Sequence, residues 1–194
     1  MAFWSSQGPE PKRQYRWVVK FASPNLQSGI SFALKKVDKP KAKIGSIQHK
    51  YLNHFFNYPG RLEWEDISMT FASITQPDAT FLLNDVLVKA GYGVPVDNLS
   101  PSQLSTIGKL KFNGSLGNKL YIEQLNPEGT TIEQWELNNP FFISVQFGSL
   151  DYSNEEIVEI QTTVKYDWAK LNTPTSEAGG AADELVGTTS PGFP

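Results

Sequence analysis

No cysteine occurs in this chain of 194 residues. Disulfides, thiolate-bound metals and a cysteine nucleophile are therefore excluded. Histidine is almost as scarce, with two copies. No apolar run approaches the ~18 residues that a membrane-spanning helix requires, so no membrane anchor is expected. The opening MAFWSSQGPEPKRQ holds no apolar stretch long enough for a secretory leader. The expectation is a protein made in a reducing cytoplasm, or carried on something assembled there.

The groups that would do chemistry are missing as well. His49 and His54 flank KYLN, which is not the i, i+4 pair with an intervening glutamate that builds a zinc protease site. GSLGN at 114–118 lacks the Lys-Ser/Thr of a phosphate loop. No serine sits in a nucleophile elbow. The pair Glu63 and Glu65 belongs to an extended stretch, and Glu155 and Glu156 to a turn, where carboxylates are normally solvated. No catalytic, cofactor-binding or metal-ligating residue is assigned, and no cofactor is expected.

Charge is present but unevenly placed. Residues 1–50 carry ten Lys or Arg against two Asp or Glu; the remainder carries seven against eighteen. That split is compatible with nucleic-acid binding by the basic quarter. It is equally compatible with pairing between copies, basic surface to acidic surface, or with an unevenly charged solvated surface.

What remains is a pattern of strands. QYRWVVKFA, residues 14–22, puts Tyr15, Trp17, Val19 and Phe21 on one face, and Ile30, Phe32 and Leu34 continue after a turn, predicting an antiparallel pair. RLEWEDISMTFASI reads as a long strand whose phase slips at Glu65-Asp66, either a β-bulge or a kink between two short strands. KLKFNGSL, KLYIEQLN, TTIEQWEL and FFISVQFG read as further strands, with NPEG as a reverse turn, and in the last of them Ile143, Val145 and Phe147 share a face. In the closing stretch Val158, Ile160, Thr162, Val164, Tyr166 and Trp168 alternate with Glu159, Gln161, Thr163, Lys165 and Asp167, a half-buried strand preceded by the polar turn SLDYSNEE. One helix is predicted at about 76–90. Thr75 and Asp78 have capping-box spacing, Pro77 lies in the first turn, Ala79, Leu82, Leu83, Val86, Leu87 and Ala90 form the apolar stripe, and Gly91 is the stop. A short helical turn is read at Pro101–Leu104. The fold class is mainly β: an antiparallel sandwich or squashed barrel with one flanking helix.

Two segments stand apart. Lys35 to Gly60 has poor periodicity and reads as a long loop or extended arm, at about 36–60; loops of such length are uncommon inside compact domains and often functional. Residues 172–194 shift to Gly, Pro, Ser, Thr and Ala, a tail unable to bury a core alone. The expected organisation is an N-terminal extension at 1–13, a β-domain at 14–171 and a flexible tail at 172–194.

The stretch WELNNPFFISVQFGSLDYSNEEIVEIQTTVKYDWAKL, Trp135 to Leu171, resembles the C-terminal part of the tail tube proteins of contractile-tailed, T4-like bacteriophages. That family closes with a Trp strand, an NPF-like turn, a V-F-G-LDYS segment and a strand ending on YD plus an aromatic. HKYLNHFFNYPGRLEWEDISMTF, His49 to Phe71, is similar to the family's passage from a long arm into a strand. The KAGY helix end and the polar loop before IGKL also fit, so the likeness covers roughly residues 14–170. The resemblance implies a structural subunit with no enzymatic activity. Homo-hexameric rings would stack into a hollow tube around a tape-measure protein, inside a contractile sheath, starting from a baseplate tube-initiating protein. DNA would pass through the lumen, and the location would be the virion tail, assembled in the host cytoplasm. The alternatives are a tube-initiating or terminal ring protein of the same fold, and a DNA-binding module. In the family the matching arm reaches toward neighbouring subunits. The contact candidates in this chain are accordingly Lys41, Lys43, Ile44, Tyr51, Phe55, Phe56 and Tyr58. A lumen wall that is acidic or neutral is expected, because lysines would hold a duplex by counterion release.

Overall fold

A computed structural model describes residues 11–23, 26, 30–93 and 106–173. The helical turn expected at Pro101–Leu104, most of the N-terminal extension and nearly all of the C-terminal tail lie outside the described residues.

The strands are β1 (Trp17–Phe21), β2 (Leu34–Val37), β3 (Ala42–Tyr51), β4 (His54–Trp64), β5 (Ile67–Ala72), β6 (Lys119–Leu125), β7 (Thr131–Asn138), β8 (Phe141–Gln146), β9 (Glu159–Lys165) and β10 (Trp168–Asn172); the helices are α1 (Ala79–Lys89) and α2 (Lys109–Ser115). Two four-stranded antiparallel sheets form, in the orders β1-β6-β7-β10 and β2-β5-β9-β8, and β3 and β4 pair only with each other. The mainly β expectation holds.

The alternation read from the sequence explains the core. Ile67, Met69 and Phe71 from β5 and Ile160 and Val164 from β9 have no exposed surface. They join Val19 and Phe21 of β1, Leu120 and Ile122 of β6, and Leu137 of β7 in one apolar cluster. Thr162 is buried among them and its hydroxyl donates to the Met69 carbonyl.

Several expectations need correction, each for a tertiary reason. β1 does not pair with the strand after it: β1 lies on β6, while β2 lies on β5 in the other sheet. Between them Ser31–Ala33 form a single 3-10 turn, so Phe32 points to solvent while Ile30 and Leu34 are buried. At Glu65-Asp66 the second of the two readings holds: β4, which pairs only with β3, ends at Trp64, and β5 begins at Ile67 in the sheet β2-β5-β9-β8. One of several register shifts falls in β8, between Phe142 and Ser144, where Phe142 is turned inward and Ile143 is left exposed. The closing strand ends at Lys165; Trp168 begins β10, which crosses to the other sheet and pairs with β7.

KLKFNGS is a helix, not a strand. Two apolar residues at spacing two cannot separate the two periods. Here Phe112 is buried against Phe141 and Phe142, at 6.2 and 6.5 Å between ring centroids, while Leu110 is exposed. There are thus two helices among the described residues rather than one.

α1 buries the predicted stripe: Ala79, Leu83, Val86 and Ala90 are inside, with Leu82 and Leu87 packed beside them. Gly91 adopts a φ of 112°, and the Tyr92 amide returns to the Leu87 carbonyl, closing the helix as expected. The start differs. The helix begins at Ala79, after Pro77, and Asp78 is itself the N-cap, its carboxylate accepting from the amides of Thr80 and Phe81 at 2.9 and 3.1 Å. Asp78→Ala should therefore cost about 1 kcal/mol in urea unfolding, whereas Thr75→Ala should cost much less.

Glu133 ties the sheet β1-β6-β7-β10 to the chain before β3. It accepts from Lys12, from Lys39 at 2.8 Å and from the Trp135 indole at 2.7 Å. Burial opposes its ionisation, but these hydrogen bonds and the Lys39 charge outweigh it and hold the carboxyl down to about 2. A depressed carboxylate stabilises the fold above its unfolded pKa and loses that contribution as pH falls through the folded one. The window here runs from 4.5 down to about 2. Undamped, the shift is worth about 3 kcal/mol; with both ammonium groups half in water, screening reduces it to about 1–2 kcal/mol. Urea unfolding of Glu133→Gln should show a flatter acid limb than the parent over that window. An unchanged limb would remove Glu133 as its cause.

Candidate functional site

The segment expected to be a patternless arm at 36–60 is a β-hairpin from Ala42 on, with strands of ten and eleven residues that run past 60 to Trp64, while Lys36 and Val37 belong to β2 and pair with β5. Its sequence favours strand through Ile44, Ile47, Tyr51, Phe55, Phe56 and Tyr58. Leu52 and Asn53 make the turn, with Leu52 in the left-handed region at φ 51°. Asn-Gly would have announced such a turn; Leu-Asn does not. A second irregularity hid the period. Between Ile44 and Ser46 the register slips, because β4 supplies one residue more than β3. Gly45 and Gly60 meet at this point, where a Cβ on Gly60 would stand 3.1 Å from the Gly45 carbonyl carbon and oxygen. A side chain there would push the Gly45 backbone back by a few tenths of an ångström, so glycine suits this close approach.

The root of the hairpin is fixed. Trp64 packs on the core with its ring 6.2 Å from that of Tyr166, and the Glu65 amide donates to the Lys41 carbonyl at 2.9 Å. Beyond the root, every residue of both strands is exposed. Strand alternation and register then sort the side chains. One face carries Ile47, His49 and Tyr51, directly across from Tyr58, Phe56 and His54. The opposite face carries Ile44 across from Leu62, Gln48 bonded to Asn57, and Lys50, whose ammonium lies 5.7 Å from the centre of the Phe55 ring.

Of the seven contact candidates, six lie on the hairpin and Lys41 just before it. Tyr51, Phe56 and Tyr58 share one face; Ile44 and Phe55 lie on the other. Lys43 is opposite Glu63, and Lys41 is 3.8 Å from Asp38. Tyr51 is 62% exposed and Phe55 59%. Monomeric proteins rarely leave so much contiguous apolar surface bare, and such patches mark interaction sites. Both hairpin edges are open to further pairing among the described residues.

Sequence reasoning passed over a second exposed apolar group. Leu150, Tyr152 and Ile157 lie in the loop between β8 and β9 and all face solvent. They were submerged in a segment that reads as a polar turn; apolar residues recurring inside such a turn were the available signal.

The basic first quarter proves to be largely engaged within the chain. Lys12 and Lys39 bond Glu133, Lys20 pairs with Glu123 at 2.8 Å, and Lys35 bonds Glu159. The charge asymmetry along the sequence is thus partly cancelled by folding. Among the described residues no group of three or more His, Asp or Glu is placed to hold a metal ion, and no helix is long and apolar enough to cross a membrane.

No protein-family model and no curated protein matches this chain. Solved structures match its fold. A cryo-electron microscopy structure of an extracellular contractile injection system, the PVC sheath/tube terminator in the extended state, aligns with a TM-score of 0.60 at 15% identity, over 85% of this chain and 99% of that one. The cap of the anti-feeding prophage, its tube-terminating cap, aligns at 0.59 and 17% identity, over 86% and 93%. The PVC sheath-tube complex aligns at 0.59 and 15%, over 84% and 93%. At such identities what is shared is the fold: that of components of contractile injection systems.

Proposed function

We propose that this chain is a structural, non-enzymatic subunit of the tube in a contractile tail or injection machine. Copies associate into hexameric rings, and rings stack into a hollow tube within a sheath. The observation that carries this reading is the hairpin: a long two-stranded projection, bare on both faces, on a body with the fold of such components. Closing a ring covers open strand edges, and stacking covers the hairpin. Bacteriophage tail tube subunit is the finer assignment, with tape-measure protein and DNA inside, a sheath protein outside, and residence in the virion; it rests on the sequence resemblance. The face of β5, β8 and β9 turned from the core suits a lumen wall. It presents Ser68, Thr70, Ser144, Gln146, Gln161 and Thr163, flanked by one acidic and one basic residue, Glu159 and Lys165, so the face is polar and without net charge and suits a wall that does not hold a passing polymer.

A terminating or initiating ring of the same fold is the second reading. It is favoured by the two terminator assemblies among the similar folds. Copy number per particle separates the two: many rings for a repeating subunit, one for a terminator. A DNA-binding module is the weaker reading, since much of the lysine charge is already paired internally.

Negative-stain microscopy of the purified protein should show rings or hollow rods; persistent monomers at high concentration would overturn the repeating-subunit reading. Lys41→Glu with Lys43→Glu should slow or misregister rod growth while leaving the monomer folded. Raising salt should imitate that effect on the parent, because contacts of exposed charges are screened. Growth rates followed by light scattering that are indifferent to both would remove these lysines from the contact.

A further inference from the structure

We propose that the cleft formed by the β8–β9 loop, residues 147–158, is the seat for the hairpin tip of a second copy of this chain. This rests on the reading of the hairpin as the element that joins copies, and assigns its receptor.

The cleft is open and roomy, about 930 Å³, with Phe147, Leu150, Tyr152, Glu156 and Ile157 among its lining. Its apolar members are turned outward instead of into the core: Leu150 is 89% exposed and Ile157 69%. The loop that presents them is shaped, not slack. Asp151 accepts from both the amide and the hydroxyl of Ser153, at 2.9 and 2.7 Å, and the Asn154 side chain accepts from the Glu156 amide at 3.0 Å. The Ser153 bonds also hold the Asp151 carboxyl below the usual range, keeping its charge.

Charge selects the occupant. From Phe147 to Val158 the loop carries Asp151, Glu155 and Glu156 and no Lys or Arg. From Gly45 to Gly60 the hairpin carries Lys50 and both histidines and no Asp or Glu. Each surface thus combines bare aromatic and aliphatic groups with charge of one sign, and the signs are opposite. A second copy of the chain supplies the match without any other partner. Apolar side chains of the tip would provide the buried area, and Lys50 against Glu155 and Glu156 the register.

The absence of cysteine makes a direct test clean. Subunits carrying Leu52→Cys, mixed with subunits carrying Leu150→Cys under rod-forming conditions, should cross-link through a short bismaleimide into a mixed dimer; neither variant alone should do so. Glu155→Lys with Glu156→Lys should lower rod yield about tenfold, and adding Lys50→Glu to the same chain should restore most of it, the signature of a coupled pair. Circular dichroism should be unchanged throughout, since all these residues are exposed. Normal rods from the Glu155→Lys, Glu156→Lys chain, no rescue, or rods whose mixed subunits fail to cross-link between positions 52 and 150 would overturn the seat. Phe55→Ser with Phe56→Ser keeps the two ideas separable. If that variant loses rods while the loop variants keep them, the hairpin joins copies through another receptor; if it too keeps them, the underlying reading fails.

Discussion

Replacing Phe55 and Phe56 together with serine is expected to abolish rods and leave a folded monomer. The two residues are neighbours on β4 and so point to opposite faces of the hairpin. Phe56 belongs to the patch with Ile47, His49 and Tyr51, and Phe55 lies beneath the Lys50 ammonium. The double replacement therefore damages both faces at once. Each ring is worth about 1.5–3 kcal/mol when fully covered. Each subunit in a stack repeats the contact, so the loss multiplies along the tube. In the isolated chain Phe55 is 59% and Phe56 47% exposed and neither belongs to the core cluster, so monomer stability should move by about 1 kcal/mol or less. Negative-stain microscopy and urea unfolding of the same preparation measure the two effects separately. Normal rods from this variant would place the stacking contact elsewhere. Loss of the folded monomer would show that the hairpin packs on the body.

Phe71→Ala should have the largest effect on the body itself. Phe71 is fully buried at the centre of β5, across from Leu34 on one side and Ile160 on the other. Truncating such a ring typically costs about 3–5 kcal/mol, part from lost transfer free energy and part from the cavity left behind. Against a total stability of about 5–15 kcal/mol for a domain, much of the protein would become unfolded or insoluble at 37 °C. The urea midpoint should fall steeply, and rods should disappear for want of subunits, unlike the hairpin variants. A cost below about 1 kcal/mol would mean that the two sheets close over the gap. It would also mean that the centre of the sandwich is less tightly packed than its burial indicates.

The elements legible in the sequence are those whose period survives over several residues with one face buried. The β9 alternation, the β5 run and the α1 stripe are of that kind, since a core on one side imposes a strict repeat of 2 or 3.6. The α1 stop at Gly91 was readable because the positive φ there suits glycine. The hairpin failed the same test for a physical reason. Neither of its faces meets the core, so nothing selects alternation along it, and the Gly45/Gly60 slip and the Leu52-Asn53 turn break what regularity remains. Its composition still singled it out: apolar and aromatic side chains between lysines in a segment without core periodicity, and the contact candidates came from that.

Partnership between distant strands was decided by the tertiary structure alone. That β1 lies on β6 and β2 on β5, and that the chain crosses sheets between Lys165 and Trp168, follows from how two sheets best cover one core. Local propensity carries no information about it. KLKFNGS became a helix because Phe112 had to reach Phe141 and Phe142. The first-quarter lysines were partly neutralised because folding brought Glu133, Glu123 and Glu159 to them across about a hundred residues or more of chain. Composition and periodicity by themselves determined a cysteine-free, mainly β chain with one strong helix and a segment rich in lysines and aromatics that fits no core pattern. Which side chains share a face of that segment depended on the β3–β4 register and its slip at Gly45/Gly60, and the outward presentation of the 147–158 loop on β8 and β9 pairing in one sheet; those hydrogen-bonded registers exist only once the chain has folded.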